Sequence, residues 1–295
     1  MKVLLVGADG QLGRELRASV PLDVELVARN RTGLDICDGV AVAATVATEK
    51  PDVVINAAAY TAVDRAESEP ERAFAINETG AANLARAAAS QGSRLIHVST
   101  DFVFNGAASQ PYTPQAEVAG LGVYGRSKLA GEQRVREASG DRALILRTAW
   151  VYSCFGHNFV KTMLRLMTQR PSVSVVSDQL GSPTWASGLA LLIWRSLQHE
   201  ELQGRWHWTD SGTISWYDFA RAIAEEGLSC GLLDRPVEVL PISSSEFQTA
   251  AQRPSYSALD SSATVTALGI AQHDWREQLR AMLLELKEKG GEYFE

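Results

Sequence analysis

The stretch Lys2-Val-Leu-Leu-Val6, followed by Gly7-Ala-Asp-Gly10-Gln-Leu-Gly13, decides the fold of this 295-residue chain. The run VLLV predicts a strand buried on both faces, and the segment after Gly10 has the pattern of an amphipathic helix. Glycines between a strand and a helix let backbone N–H groups approach a pyrophosphate at the helix N-terminus. The GxxGxxG spacing therefore predicts a dinucleotide-binding turn that opens a Rossmann-type sheet.

Short apolar runs and longer amphipathic segments alternate through the first half of the chain. The predicted strands are Lys2–Val6, Val24–Arg29, Asp52–Ala57, Arg94–Thr100 and Ala143–Trp150. The predicted helices between them are Gln11–Val20, Val40–Glu49, Glu71–Ser90 and Val123–Glu137. This alternation predicts an α/β fold with a doubly wound parallel sheet.

The pattern becomes less regular beyond Trp150. It predicts helices at Asn158–Gln169, Trp185–Gln198, Ser215–Glu226 and Asp274–Lys289, strands at Val173–Ser177 and Arg205–Thr209, and a loop with one or two helical turns over Leu240–Tyr256. We expect residues 1–152 and 184–211 to form an NAD(P)-binding Rossmann domain. Residues 153–183 and 212–295 would form a smaller, interwoven substrate-binding domain.

Composition limits the classes of function. Hydrophobic residues make up 45% of the chain and charged residues 21%, the balance of a globular protein. The net charge of −7 argues against nonspecific nucleic-acid binding, and no apolar run approaches the roughly 20 residues of a membrane span. The short apolar run near the N-terminus breaks at Gly7 and Asp9, unlike a signal peptide. Three isolated cysteines and five scattered histidines predict a cytoplasmic protein without a metal site.

A YxxxK pattern, Tyr124 to Lys128, lies on a predicted helix, where residues four apart share one face. A nearby ammonium lowers the pKa of a phenol, which makes tyrosine a usable proton donor to a ketone. Thr100 ends a predicted parallel strand, at the edge where doubly wound sheets bind ligands. These residues predict a reductase site. The alternative for YxxxK alone is an exposed tyrosine beside a solvated lysine.

Several longer segments resemble those of the dTDP-4-dehydrorhamnose reductases, a family of the extended short-chain dehydrogenase/reductase superfamily. They are residues 56–64, 66–70, 99–104, 123–132, 147–152, 158–163 and 178–184, with Arg253, Pro254, Ser257 and Leu259. The resemblance runs from Met1 to about Asp260. It implies hydride transfer from NAD(P)H to C4 of dTDP-4-dehydro-L-rhamnose, which gives dTDP-L-rhamnose for cell-surface polysaccharide.

The resemblance also implies roles for individual residues. Tyr124 would protonate the C4 oxygen, Lys128 would hold the nicotinamide ribose and tune Tyr124, and Thr100 would orient the ketone. Expected cofactor contacts are Gly7, Gly10, Gln11 and Leu12 at the pyrophosphate, Asp35 and Ile36 near the adenine, and Ala57, Ala58 and Ser99 along the channel. Expected substrate contacts are Val63, Asp64, Asp101, Phe102, Trp150 and, at the diphosphate, Arg253.

Some of these assignments have a structural alternative. Phe102 and Trp150 could belong to the core, and Arg253 could form a surface ion pair. Phe102 also stands where a tyrosine would be unsurprising, which removes one hydroxyl from the expected site.

The second predicted strand ends without a carboxylate that would accept the ribose 2′-OH of NADH. Arg29 and Arg31 follow instead and could neutralise a 2′-phosphate. We therefore predict NADPH as the preferred cofactor, with use of NADH left open. The alternative is that both arginines are solvated loop charges.

Two other functions fit parts of the pattern. One is a non-catalytic NADP-binding regulatory subunit like the beta subunit of methionine adenosyltransferase, which the presence of Thr100, Tyr124 and Lys128 disfavours. The other is a sugar-nucleotide epimerase or dehydratase. A homodimer is left open, because the glutamates through which some family members share magnesium cannot be placed in this sequence.

Overall fold

The structure, a computed structural model, describes residues 1–140 and 142–290. Its centre is a six-stranded, wholly parallel sheet in the order β10-β5-β4-β3-β1-β2. These strands are β1 (Lys2–Val6), β2 (Glu25–Arg29), β3 (Val53–Asn56), β4 (Arg94–Thr100), β5 (Leu144–Thr148) and β10 (Gly204–His207). The predicted Rossmann-type sheet is confirmed.

Helices cover both faces of this sheet. They are α1 (Gln11–Ala18), α2 (Gly39–Glu49), α3 (Val63–Ala66), α4 (Pro70–Phe74), α5 (Ala81–Gln91), α6 (Val123–Ser139) and α8 (Ala186–Ser196). Two hydrophobic cores lie on opposite sides: one contains Leu5 and Leu16, the other Leu4 and Leu84. Successive strand residues thus point to opposite cores, which is why the strand sequences are apolar throughout.

A third core lies outside the sheet and is built from residues between Tyr152 and Leu286. Its elements are β6 (Val151–Tyr152), α7 (Phe159–Gln169), β7 (Ser172–Val176), β8 (Leu180–Gly181), β9 (Thr184–Trp185), β11 (Ile214–Ser215), α9 (Trp216–Ser229), β12 (Glu238–Ile242) and α11 (Trp275–Glu288). Strand β12 pairs with β7 in parallel. The chain leaves this core for α8 and β10 and then returns to it.

Two predictions about secondary structure were wrong, and one helix was not predicted. Glu71–Ser90 is not one regular helix, because a π-helical segment, Ala75–Gly80, separates α4 from α5. The predicted loop from Leu240 begins inside β12, where Pro241 is tolerated because β12 pairs with a single strand in a two-stranded sheet. A helix, α10 (Ser262–Leu268), was missed.

Helix α10 also bears on the expected domain division. We assigned residues 212–295 to the smaller domain, of which residues 291–295 lie outside the described part of the chain. Leu268 nevertheless belongs to a core of the sheet, and the Thr264 hydroxyl donates to the His207 carbonyl at 2.6 Å.

In the described residues, no helix is both long and apolar enough to cross a membrane.

Candidate active site

The glycine turn after β1 is shaped by close backbone packing. Gly7 has φ +81°, and a Cβ there would lie 2.5 Å from the backbone nitrogen of Ala58. A Cβ on Gly13 would overlap the Gly7 carbonyl oxygen. Gly10 differs, because its nearest contact would be at 3.4 Å and its φ is −69°. Two of the three glycines thus shape the turn, and Gly10 leaves open space at the N-terminus of α1.

A cavity of about 260 Å³ opens beside this turn. It lies at the carboxyl ends of β1 and β3, where doubly wound sheets bind dinucleotides. Six residues predicted to bind the cofactor line it: Gly7, Gly10, Asp35, Ile36, Ala57 and Ala58. The open turn and this cavity fit the phosphates and adenine of a dinucleotide. Its other lining residues are Asp9, Asn30, Arg31, Leu34, Ala59 and Ile76.

The structure separates the two arginines proposed to bind a 2′-phosphate. Arg29 forms a 2.7 Å ion pair with Glu49, at the end of α2. Arg31 is exposed and lines the cofactor cavity. Between them, Asn30 donates to the Asp9 carboxylate at 2.7 Å. Arg31 is therefore better placed than Arg29 to contact a phosphate in this cavity.

Gln11 and Leu12, also predicted at the pyrophosphate, lie in the first turn of α1. The Gln11 side-chain oxygen accepts a 2.9 Å hydrogen bond from Asn158, which caps α7. Leu12 is buried in a core of the sheet, so only its backbone can serve a ligand. Gln11 links the turn to the second part of the molecule.

Thr100, Tyr124 and Lys128 come together at the carboxyl end of β4, and all three are buried. The last residue of β4 is Thr100, while Tyr124 and Lys128 lie in the first two turns of α6. Helix α6 approaches the strand closely, since a Cβ on Gly125 would overlap the Phe102 carbonyl oxygen. Thr100, Tyr124 and Lys128 thus form one buried group, here called the catalytic pocket.

The expectation that Lys128 lowers the pKa of Tyr124 was wrong for this structure. Burial raises the pKa of the Tyr124 phenol to about 12, the Asp101 carboxylate raises it further, and a hydrogen bond with Thr100 opposes them. The Lys128 ammonium instead donates to the Val98 carbonyl at 2.7 Å. A phenol with a raised pKa remains protonated at neutral pH and can act as a proton donor.

Lys128 is itself perturbed by burial. Loss of solvation lowers its pKa to about 8, against an opposing effect of the Glu132 carboxylate one turn further along α6. Below that pH the buried ammonium is charged and can donate hydrogen bonds.

Asp101 follows Thr100 and is also buried. Burial raises the pKa of its carboxyl to about 6, although Ser257 and Thr100 hold it down. The Thr100 hydroxyl donates to one oxygen of Asp101 at 2.9 Å. Asp101 therefore lies in the catalytic pocket, next to the residue expected to orient the ketone.

The residues predicted around the sugar fall into two groups. Val63 and Phe102 pack in the hydrophobic cluster that contains Tyr124, and the Phe102 ring meets the Tyr124 ring edge-on at 5.4 Å. Trp150 lies apart from that cluster: it has φ +47° and stacks on Trp216 with ring centroids 3.5 Å apart. Trp150 is partly buried and packs against the third core and against the cluster around Phe104, so its contact with the sugar stays a prediction.

Ser99, predicted to line the cofactor channel, points elsewhere. Its hydroxyl donates to Glu132 at 2.5 Å, and Glu132 forms a 2.7 Å ion pair with the fully buried Arg147. Sequence analysis missed this pair, since nothing in an apolar strand pattern indicates which polar residues are partners. Together with Ser99, the pair ties α6 to β4 and β5 and so holds the helix that carries Lys128 against β4.

One group of side chains in the described residues could in principle hold a metal ion. Ligand atoms of Glu15, Cys154 and Glu285 lie within 4.8 Å of one another. The Lys289 ammonium donates to Glu285 at 2.5 Å and to Cys154 at 3.3 Å, so it already supplies a positive charge. Spacing along the sequence could not reveal this group, because its members come from α1, α11 and the segment after β6.

A glycine turn with a cavity beside it and a buried Tyr–Lys pair at the same edge of the sheet define a Rossmann-type oxidoreductase. The family model described as RmlD substrate binding domain matches residues 1–288. A dTDP-4-dehydrorhamnose reductase of Sinorhizobium fredii is 39% identical over 98% of this chain and 100% of its own length.

Solved structures give the same result. A dTDP-4-dehydrorhamnose reductase of Clostridium acetobutylicum has a TM-score of 0.92 and 38% identity, covering 97% of this chain and 100% of its own. Another, from Bacillus anthracis in complex with NADP, has a TM-score of 0.90 and 37% identity, covering 96% and 99%. The chain belongs to the dTDP-4-dehydrorhamnose reductase family, so the predicted resemblance and oxidoreductase class are confirmed.

Proposed function

We propose that this chain reduces the C4 ketone of dTDP-4-dehydro-L-rhamnose with NADPH to give dTDP-L-rhamnose. The observation that carries the proposal is the shared burial of Thr100, Tyr124 and Lys128 in one pocket beside the glycine turn. Family membership supports the substrate, and the NADP bound by the Bacillus anthracis relative supports the cofactor.

The glycine turn would hold NADPH, which would supply the hydride for C4 of the ketone. Tyr124, whose phenol has a pKa of about 12 and is protonated at neutral pH, donates its proton to the C4 oxygen as negative charge develops there. Thr100 orients the ketone by turning its single hydroxyl proton, which it donates to Asp101 in the structure, toward the ketone oxygen. Lys128, charged below its pKa of about 8, holds the nicotinamide ribose. Arg253 binds the diphosphate, because a guanidinium suits phosphate oxygens.

The test is oxidation of NADPH, followed at 340 nm, with dTDP-4-dehydro-L-rhamnose and with other nucleotide-linked keto sugars. We expect turnover with the rhamnose precursor and far less with UDP- or GDP-linked ketones. Cofactor binding without turnover of any ketone would favour a regulatory subunit. Conversion of the sugar without net NADPH oxidation would indicate an epimerase or a dehydratase.

The proposal includes a cytoplasmic enzyme that acts on a small molecule and not on nucleic acid. Support comes from the three free cysteines and from the net charge of −7. The homodimer stays a prediction, which sedimentation equilibrium of the purified protein tests.

A further inference from the structure

Two residues that the sequence placed separately around the substrate bind each other in the structure. Arg253 donates from Nη1 to Asp64 Oδ1 at 3.1 Å and from Nη2 to Asp64 Oδ2 at 2.7 Å. This is a bidentate pair, which fixes the plane of the guanidinium as well as its position. Asp64 lies in α3 beside the sheet, and Arg253 belongs to the segment that follows β12.

The pair leaves one edge of the guanidinium available. A guanidinium has five N–H donors: two on each terminal nitrogen and one on Nε. Asp64 takes one from each terminal nitrogen, and the Ala251 carbonyl takes a second from Nη1 at 3.4 Å. Within the described chain, the Nε–H and the remaining Nη2–H have no protein acceptor. These two donors lie on the same side of the guanidinium and can bind a phosphate as a fork.

The segment around Arg253 lies against the catalytic pocket. Pro254 packs on Gly106, which follows β4, and the Ser255 hydroxyl donates to the Gly106 carbonyl at 3.0 Å. Ala251 lies beside Gly122, two residues before Tyr124. Asp64 also accepts from the Ala251 backbone at 3.1 Å. One carboxylate therefore holds both the arginine and its backbone next to the pocket.

The pair contributes little to folding. The Arg253 side chain is 25% exposed and that of Asp64 46% exposed, and such partly exposed pairs typically contribute at most about 1 kcal/mol. Substitutions at either position should therefore leave the fold intact. The Asp64–Arg253 pair can still determine the direction in which the Arg253 guanidinium points, although it stabilises the fold only slightly.

We propose that Asp64 is a positioning residue for the substrate diphosphate: it holds Arg253 by the Nη1/Nη2 edge and presents the Nε/Nη2 edge to the phosphates. The inference rests on the proposed function, since it assumes a nucleoside diphosphate substrate. It assigns Asp64 a different role from the direct sugar contact that the family resemblance implies. Asp64 acts through Arg253.

A double-mutant cycle with Asp64→Asn and Arg253→Ala tests the coupling. The readouts are the affinity of the NADPH-saturated enzyme for dTDP, measured by calorimetry, and kcat and KM for the sugar nucleotide. We expect Arg253→Ala to weaken dTDP binding by about tenfold or more, the scale of a lost charge-assisted hydrogen bond. Asp64→Asn should weaken it about three- to tenfold, with KM rising more than kcat falls.

The double variant decides between the two roles. If Asp64 acts through Arg253, adding Asp64→Asn to Arg253→Ala should cause no further loss of affinity. Multiplying losses would mean that Asp64 contacts the ligand directly, which overturns the proposal. Unchanged dTDP affinity in Asp64→Asn alone would overturn it as well.

Glu225→Gln is a matched control. Its carboxylate is 47% exposed and pairs with Arg276 at 2.7 Å, between α9 and α11. This variant should change neither affinity nor KM. If the cycle shows coupling but no ketone is reduced, the positioning role stands and the proposed reaction fails. If the wild-type protein reduces the ketone but the cycle shows no coupling, only the positioning role fails. No dTDP binding by the wild type would overturn both.

Discussion

The glycine turn and the catalytic pocket lie at the carboxyl ends of β1 and β4, two strands of the same sheet with β3 between them, yet they are built by different means. The turn is shaped by backbone: side chains at Gly7 and Gly13 would collide with main-chain atoms. The pocket is shaped by buried ionisable side chains, and the pKa values of Asp101, Tyr124 and Lys128 all depart from their usual ranges. Substitutions that crowd the backbone should therefore damage the glycine turn. Substitutions that change a charge or remove a proton donor should damage the catalytic pocket.

Tyr124→Phe gives the largest expected effect and tests the chemistry of the pocket. Removing the proton donor should lower kcat at least about a hundredfold, the scale of general acid catalysis. NADPH affinity, measured by fluorescence titration, should not change, because the cofactor turn is a separate region. A variant with more than half of the wild-type turnover would mean that another group supplies the proton.

Gly13→Ala tests the backbone origin of the turn. The added methyl overlaps the Gly7 carbonyl oxygen, and crowding of this kind typically costs about 1–3 kcal/mol. We expect a lower melting temperature and weaker NADPH binding.

Gly10→Ala is the matched control for this prediction. It has room for a methyl group and a φ suited to alanine, so its stability should be nearly unchanged. Its NADPH affinity should still fall, because the methyl enters the space beside the phosphates. Equal melting temperatures for the two variants would contradict the packing argument.

The pH dependence of activity tests the charges in the pocket. Above the Lys128 pKa of about 8, the ammonium loses its proton, and kcat/KM should fall by about tenfold per pH unit. Stability should move in the opposite direction. The unfolded chain, in which this lysine has its usual pKa of 10.5, binds more protons between pH 8 and 10, so the Lys128 contribution makes the fold more stable as pH rises.

Lys128→Arg retains a positive charge through this range and should lack the alkaline fall in activity. Lys128→Met should remove this residue's share of the rise in stability, measured by urea denaturation at pH 7.5 and 9.5. If wild type and Lys128→Arg lose activity in parallel above pH 8, another group is responsible.

The smallest expected effect is on the preference for NADPH over NADH. It concerns the two arginines near the cofactor cavity. Arg31 lines the cavity, whereas Arg29 is paired with Glu49. Arg31→Ala should therefore lower the ratio of kcat/KM for NADPH to that for NADH several-fold, and Arg29→Ala should lower it less. A wild-type preference for NADH, or a ratio that Arg29→Ala combined with Arg31→Ala leaves unchanged, would disprove 2′-phosphate binding by these arginines.

The sequence alone predicted much of the Rossmann-type part of the molecule, which includes the glycine turn. The glycine turn, the parallel sheet implied by β-α alternation and the placement of Tyr124 and Lys128 on one helix depend on local patterns. The starts predicted for two later helices, at Ser215 and Asp274, also depend on local patterns. Ser215 and Asp218 form a capping box at the start of α9, and Asp274 caps α11.

The substrate side was harder to predict because its partners are distant in sequence. Asp64 and Arg253 were each placed near the substrate, but their separation of 189 residues hid the pair. The π-helical segment over Ala75–Gly80 likewise escaped prediction. A Cβ on Gly131 of α6 would overlap the carbonyl oxygen of Asn77 in this segment, and such close packing has no signature within one helix.

The sequence by itself determined the parallel sheet, the glycine turn and the residue types available for catalysis, because each follows from patterns within about twenty neighbouring residues. Only the tertiary structure decided what those residues do. It raised the pKa of Tyr124, turned the Lys128 ammonium to the Val98 carbonyl and joined Asp64 to Arg253. The pKa of a side chain depends on how far it is buried and on which charged groups lie beside it. These neighbours come from distant parts of the chain, so only the fold determines them.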